Sequence, residues 1–186
     1  MNAAVFFATR EGQAQRVAER VAASLRTRRM SVTLVDVAKV REPLDWSRYE
    51  TAFVVASVHV GRHEKEMIAF ARRHRLQLQQ LEAAFLSLSL SQAGAEDVSA
   101  LPGQRAAAAA DAARMIDGFV AETGWRPVRT LPVAGALLYS KYNFLVKIIM
   151  KRIARAAGFH GDTSHDYEFT NWRAVDEFVD QTGRAA

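Results

Sequence analysis

The opening stretch of the chain, residues 4–14, constrains the fold more than any other. The apolar run 4–8 ends at a short polar loop, Thr9 to Gly12, which leads directly into a segment of helical periodicity. The first N–H groups of a helix lack partners, and the helix dipole adds partial positive charge there. The loop is therefore a candidate anion site, in which Gly12 allows close approach and the Thr9 hydroxyl donates a hydrogen bond. An ordinary β-α turn is the alternative.

Apolar and β-branched runs recur along the chain and alternate with segments of helical periodicity. We predict five strands, at residues 3–8, 31–37, 51–58, 83–90 and 128–138. Helices are predicted between them, including one over 104–122 that Gly124 ends and a last one that a Thr170 cap begins. This alternation favours an α/β fold with a doubly wound parallel sheet. Ligands of such sheets bind at the C-terminal strand ends, so the candidate loops are 9–14, 57–63 and 87–94.

The length and composition bound the class of protein. A chain of 186 residues that is 49% hydrophobic predicts a single domain over 1–186 with its own core. The absence of cysteine excludes disulfides, a thiolate nucleophile and Cys-ligated clusters, and it suits a reducing cytoplasm. We find neither a signal-peptide pattern nor an apolar run of the roughly 18 residues that a spanning helix needs. The expectation is a cytoplasmic protein that does not cross a membrane.

The net charge and the absence of several known motifs exclude further classes of function. A net charge of +5 favours acidic partners, and nucleic acid, anionic lipid and carboxylated small molecules all fit on charge alone. The glycine patterns of ATP-binding and dinucleotide-binding loops are absent. A receiver-type phosphoacceptor would need aspartates at the strand ends, where this chain has Ala8, Ser57 and Ser87. The five histidines lack metal-ligand spacing, so no metal is predicted; His59 and His63 are candidate ligand contacts or plain surface-loop residues.

A basic and apolar segment, which we call the insertion and place at about 139–165, follows the fifth predicted strand. It carries no acidic residue from Lys141 to Arg155, and an apolar face and a basic face separate at helical spacing. Such a helix can lie on an anionic membrane surface or pair with carboxylates, or its apolar face can pack on the protein's own sheet. The candidate substrate or membrane residues are Lys141, Tyr142, Lys147, Lys151, Arg152 and Arg155.

Several motifs resemble a known family once the C-terminal third is considered. They are Thr9-Arg10-Glu11-Gly12-Gln13, the run from Gly135 to Tyr142, the run from Lys147 to Lys151, and Thr170-Asn171-Trp172. The hydroxyl-bearing loop with one glycine resembles the phosphate loop of flavodoxins. Together the motifs resemble the flavodoxin-like family of menaquinone-dependent protoporphyrinogen oxidases, over nearly the whole chain. This resemblance implies a flavodoxin-like sheet of strand order 2-1-3-4-5 with the insertion after strand five.

The resemblance also implies a cofactor, a reaction and partners. FMN would carry the redox chemistry, oxidising protoporphyrinogen IX to protoporphyrin IX for haem synthesis and passing electrons to a membrane quinone, menaquinone or ubiquinone. The phosphate would lie against Thr9, Arg10, Glu11, Gly12, Gln13 and Ala14. The isoalloxazine would be flanked by Ser57, Val58, His59, Gly61 and Arg62 and by Ser87, Leu88, Ser89, Leu90 and Ser91. The enzyme would be peripheral on the cytoplasmic face of a bacterial inner membrane, without nucleic acid; a homo-oligomer stays open.

Two features depart from the flavodoxin pattern. Ala14 stands where many such loops end in a hydroxyl, and Glu11 adds negative charge beside a phosphate. The flanking loops contain no aromatic residue to stack on the flavin except the imidazole of His59. An exposed flavin face would suit a planar porphyrin.

Other functions remain open at this point. One is a diffusible flavodoxin-type carrier, or a quinone reductase without porphyrin activity. Another is a flavin-free, membrane-associated module. The basic charge and the insertion count against the diffusible carrier.

Overall fold

The computed structural model of the protein describes residues 1–40, 43–137 and 165–182. The strands are β1 (Asn2–Ala8), β2 (Ser31–Asp36), β3 (Thr51–His59), β4 (Arg62–His63), β5 (Glu82–Ser89), β6 (Arg129–Ala134), β7 (Ala136–Leu137) and β8 (Tyr167–Glu168). The α-helices are α1 (Gln13–Thr27), α2 (Lys65–Arg73), α3 (Arg75–Gln80), α4 (Leu90–Glu96), α5 (Pro102–Thr123) and α6 (Trp172–Thr182). A 3₁₀ turn covers Trp46–Arg48. All but one residue of the predicted insertion lies outside these ranges.

Five of these strands form one parallel sheet in the order β2-β1-β3-β5-β6. Counting only the five parallel strands, this is the predicted order 2-1-3-4-5, and the predicted fold class is confirmed. The short strand β4 pairs antiparallel with β3, and β7 pairs antiparallel with β8 in a separate two-stranded ribbon.

Apolar residues on both faces of β1 explain why the sheet is covered by helices on both sides. Val5 and Phe7 pack in one core cluster with residues of α1 and α6, whereas Ala4 and Phe6 pack in the other with residues of α2 and α5. Successive strand side chains point to opposite faces, so an uninterrupted apolar run needs a helical layer on each face. The same reasoning accounts for the first six residues of β3 and for nearly all of β5, which are buried.

The fifth predicted strand, 128–138, is interrupted in the structure. The parallel strand β6 ends at Ala134, and the chain leaves the sheet at Gly135 to form β7. The Gly135 N–H donates to the Ser89 carbonyl, while its own carbonyl accepts from the Phe169 N–H. The sequence did not indicate this break because β7 is also paired and largely buried, so the apolar run continues through it.

Two further local predictions were wrong. The last helix is capped by Asn171, whose side-chain oxygen accepts from the Ala174 N–H, and not by Thr170. The predicted loop 87–94 is strand up to Ser89 and helix from Leu90, with the Ser89 hydroxyl accepting from the Gln92 N–H. The predicted end of the long helix is confirmed, since Gly124 follows α5 at a φ of 69°.

Candidate functional site

The C-terminal ends of the central strands bring the three predicted loops together. Ala8 of β1 lies in register with Ala56 of β3, and Ser57 lies in register with Leu88 of β5. The segments that follow these residues therefore emerge side by side at one edge of the sheet, which is the edge where ligands bind in this architecture. Three of these four residues, Ala8, Ala56 and Ser57, have small side chains.

The loop after β1 is held in shape by its own residues. The Thr9 hydroxyl oxygen accepts a hydrogen bond from the Gly12 N–H at 2.8 Å. Gly12 has a φ of 104°, which only glycine adopts without strain, whereas a Cβ placed there would meet nothing within 4 Å. Glycine is needed here for its backbone conformation and not for space.

Helix α1 begins immediately after this loop. Among the described residues, no group accepts from the N–H groups of Gln13, Ala14 or Gln15, while the Arg16 N–H donates to the Gly12 carbonyl. The first turn of α1 also contains no acidic residue. The loop thus presents unpaired donors and the positive end of a helix dipole, as a phosphate requires.

Gln13 ties the loop to a distant part of the chain. Its side-chain amide is buried and donates to Glu168 Oε1 at 2.9 Å and to Thr170 Oγ1 at 2.8 Å. The Thr170 hydroxyl in turn donates to the Ala134 carbonyl at the end of β6. Ala14 is fully buried in the core beneath the loop, and Arg10 is exposed. Sequence reasoning missed Glu168 and Thr170 as partners of the loop.

Residues 57–63, predicted as a loop, form a β-hairpin. Strands β3 and β4 are joined by Val60 and Gly61, at φ values of 52° and 77°, as in a type I′ turn. Valine is strained at positive φ because its side chain branches at Cβ. The Val60 side chain is nevertheless 84% exposed, at the tip of the hairpin.

A cleft of about 300 Å³ separates the hairpin from the start of α4. It is lined by Val58, His59, Val60, Gly61, Ser89, Leu90, Ser91 and Met115. Val58, His59, Ser89 and Leu90 also line a smaller cleft, which reaches Glu11 and Gln13 in the loop after β1 and Gly135 and Ala136 after β6. The predicted loops therefore surround one continuous region, to which Met115 of α5 and residues 135–136 are additions that the sequence did not indicate. Among its described lining residues the only ring is the imidazole of His59.

Two of the predicted site residues have structural roles below the cleft. Ser87 is buried, and its hydroxyl lies 2.8 Å from His63 Nε2. His63 is only 4% exposed, which corrects the interpretation of it as a surface-loop residue. Burial lowers the pKa of His63 from 6.5 to about 4; the Glu122 carboxylate opposes this change and His59 adds to it.

A second cavity, of about 340 Å³, adjoins the hairpin on the side of α5. Its lining includes His63 and Phe119 at the base and Arg62, Arg114 and Glu122 at the rim. Arg62 pairs with Glu122, and this pair lowers the pKa of the Glu122 carboxyl. The predicted cofactor residue Arg62 therefore points to α5 and lines this second cavity instead of the cleft beside Ser89.

The remaining predicted site residues belong to the insertion. Lys141, Tyr142, Lys147, Lys151, Arg152 and Arg155 lie outside the described residues. Within residues 1–40, 43–137 and 165–182, no helix has the length and apolarity to cross a membrane. The same part of the chain contains no group of three or more acidic or histidine side chains that could hold a metal ion.

The fold and this site define the class of the protein. A family model of the flavodoxin domain matches residues 4–164, and the chain belongs to that family. Oxidised Flavodoxin 1 from Bacillus cereus is similar in structure, with a TM-score of 0.56 at 13% identity, over 100% of this chain and 99% of that one. At this identity the likeness shows the fold alone.

Curated relatives add the more particular resemblance. Protoporphyrinogen IX dehydrogenase (quinone) of Escherichia coli strain K12 is 28% identical over 179 residues, which is 96% of this chain and 93% of that protein. The protein of the same name from Leishmania major is 24% identical over 131 residues, 70% of this chain and 52% of that protein. The predicted resemblance is confirmed, and the chain is an oxidoreductase of the flavodoxin family, which indicates a flavin-binding site.

Proposed function

We propose that this protein binds FMN and oxidises protoporphyrinogen IX to protoporphyrin IX, with a membrane quinone as the electron acceptor. The observation that carries the proposal is the similarity to quinone-dependent protoporphyrinogen IX dehydrogenase across 96% of this chain and 93% of that relative. An end-to-end match argues that the resemblance extends beyond the flavodoxin fold to the segments that distinguish this enzyme.

The loop after β1 fits the phosphate of FMN. The Thr9–Gly12 hydrogen bond preorganises the loop, and the unpaired N–H groups from Gln13 to Gln15 can donate to phosphate oxygens. Arg10, which is exposed beside them, can add a charged donor. The missing hydroxyl at Ala14 leaves most of this binding to the backbone.

The cleft between the hairpin and α4 fits a flat, largely apolar ring. Val58 and Val60 lie on one side of the cleft and Leu90 on the other, with Met115 beside them. When bound, the flavin supplies the two-electron redox chemistry. The protein residues would orient the ring and leave part of it open to a large substrate, because no described aromatic side chain covers it.

Anaerobic turnover of the purified protein tests the proposal. With FMN and a menadione-type quinone present, protoporphyrinogen IX should be converted to protoporphyrin IX, whose fluorescence reports the product. Without quinone, formation of protoporphyrin IX should stop once the bound flavin is fully reduced. FMN binding with quinone reduction but no porphyrin formation would instead identify a quinone reductase, and FMN binding with neither would identify an electron carrier.

We further propose that the insertion places the protein on the cytoplasmic face of an anionic membrane, where the quinone is found. Its basic residues are separated from its apolar residues at helical spacing, and no acidic residue lies between Lys141 and Arg155. We expect the triple substitution of Lys147, Lys151 and Arg155 by Glu to weaken binding to anionic liposomes by about 100-fold or more, since each basic residue near such a surface contributes about 1 kcal/mol.

A matched variant controls for total charge. Replacing the exposed residues Arg48, Lys65 and Arg126 by Glu changes the net charge by the same amount elsewhere on the surface. Liposome co-sedimentation should be affected much less by this control. Equal effects of the two triple variants would mean that the insertion has no special role at the membrane.

A further inference from the structure

The side chain of His59 lies between two carboxylates that belong to different elements. Its Nε2 atom is 3.3 Å from Glu11 Oε2 in the loop after β1 and 3.2 Å from Glu64 Oε1 at the start of α2. Carboxylate oxygens only accept hydrogen bonds, so Nε2 must carry a proton and donate it. This contact joins the loop after β1 to the hairpin across the cleft.

Glu64 is the fixed part of this group. It is only 1% exposed, and its second oxygen accepts from the Ser57 N–H at 2.9 Å. A buried carboxylate is costly unless it is paired and hydrogen-bonded. Among the described residues, His59 is the only basic side chain that forms an ion pair with either Glu64 or Glu11. Glu64 thus holds the imidazole in a position where it also reaches Glu11.

The negative charge of Glu11 affects ligand binding because Glu11 lies in the proposed phosphate loop. Glu11 lies between Arg10 and Gly12, in the loop to which we assign the phosphate of FMN. A phosphate monoester carries a charge of about −1.5 to −2 at neutral pH, and a nearby carboxylate repels it. The Nε2–H donor of His59, directed at both carboxylates, offsets part of their negative charge and holds Glu11 on the side of the hairpin.

We propose that His59, held by Glu64, compensates the charge of Glu11 and thereby determines how strongly the loop prefers a flavin that carries a phosphate to one that does not. The inference rests on the proposed binding of FMN at this loop. The other ionisable groups around His59 are His63 on β4, whose imidazole is buried, and Arg62 beside it, which is paired with Glu122 of α5. Neither replaces His59 as the partner of Glu11.

Dissociation constants for FMN and for riboflavin, which lacks the phosphate, test this assignment. They are measured by flavin fluorescence at one pH for the wild type and for His59→Gln, Glu11→Gln and the double variant. We expect His59→Gln to weaken FMN binding by about tenfold, as for a partly screened charge, and riboflavin binding by less than about twofold. Glu11→Gln should not weaken FMN binding, and the double variant should recover FMN affinity to within about threefold of the wild type.

A variant that places a positive charge at position 59 provides a second test of the same proposal. His59→Arg should preserve the preference for FMN over riboflavin, and it serves in place of His59→Gln if that variant does not fold. Equal losses of FMN and riboflavin affinity in His59→Gln, or no recovery in the double variant, would overturn charge compensation. A wild-type protein that binds neither flavin would overturn the proposed function as well, so the two failures are distinguishable.

Discussion

Replacing Gly12 with valine should weaken FMN binding by about 100-fold or more while leaving the protein folded. Gly12 has a φ of 104°, and a β-branched residue held there is strained by about 1–3 kcal/mol or more. The loop would relax to another conformation, the Gly12 N–H would leave the Thr9 hydroxyl, and the first N–H groups of α1 would no longer converge. Isothermal titration with FMN measures the loss.

The chain offers a matched control for this substitution. Gly118 lies within α5, where an added Cβ would also meet nothing within 4 Å but the backbone is helical. Gly118→Ala should leave FMN affinity unchanged and stabilise the protein by up to about 1 kcal/mol, the difference in helix propensity. If Gly12→Val bound FMN as tightly as Gly118→Ala, the phosphate would not lie at this loop.

The second large effect concerns His63 and acid stability. The pKa of His63 is lowered from 6.5 to about 4, chiefly by burial, so the unfolded chain binds a proton in a pH range where the folded protein does not. Above pH 6.5 His63 is neutral in both states, and the free energy of unfolding is at its full value. As the pH falls from 6.5 towards 4, proton uptake by His63 in the unfolded chain lowers the free energy of unfolding. Integrated over this window, the free energy of unfolding should fall by about 3 kcal/mol because of this one side chain.

His63→Gln separates this contribution from that of the carboxylates, which also titrate in acid. Glutamine retains a group that can hydrogen-bond to Ser87 but does not ionise in this range. Urea unfolding at pH 7 and at pH 4, followed by tryptophan fluorescence, should show a smaller loss of stability in the variant. Equal losses in the wild type and the variant would show that folding does not lower the pKa of His63.

The five parallel strands were predictable because their apolar signal is continuous, whereas their order was implied by the resemblance to flavodoxins. The alternating faces of β1 are both apolar, and this requires helices on both sides of the sheet whatever the detailed contacts are. The loop from Thr9 to Gly12 was predictable for a similar reason, since its residue types follow directly from the strand and precede the helix.

The parts that the sequence did not reveal depend on pairing between distant segments. The end of β6 at Ala134 is set by the departure of β7 to pair with β8, about 30 residues further along the chain. Likewise, nothing in the local sequence distinguishes Thr170 from Asn171 as a cap, because the Thr170 hydroxyl is used by Ala134 and Gln13. The burial of His63 and Glu64 follows from how α2 and α5 cover the hairpin, which no periodicity indicates.

The attachment of Gln13 has a consequence for when the cofactor can be acquired. Its amide is held by Glu168 and Thr170, and helix α1 is further joined to α6 by ion pairs such as Arg20 with Asp176. A nascent chain still missing residues beyond 165 has all five parallel strands but lacks these restraints on the first turn of α1. If flavin binds at this loop as proposed, we therefore expect stable binding only after α6 has left the ribosome, so that the cofactor is acquired after translation of this helix.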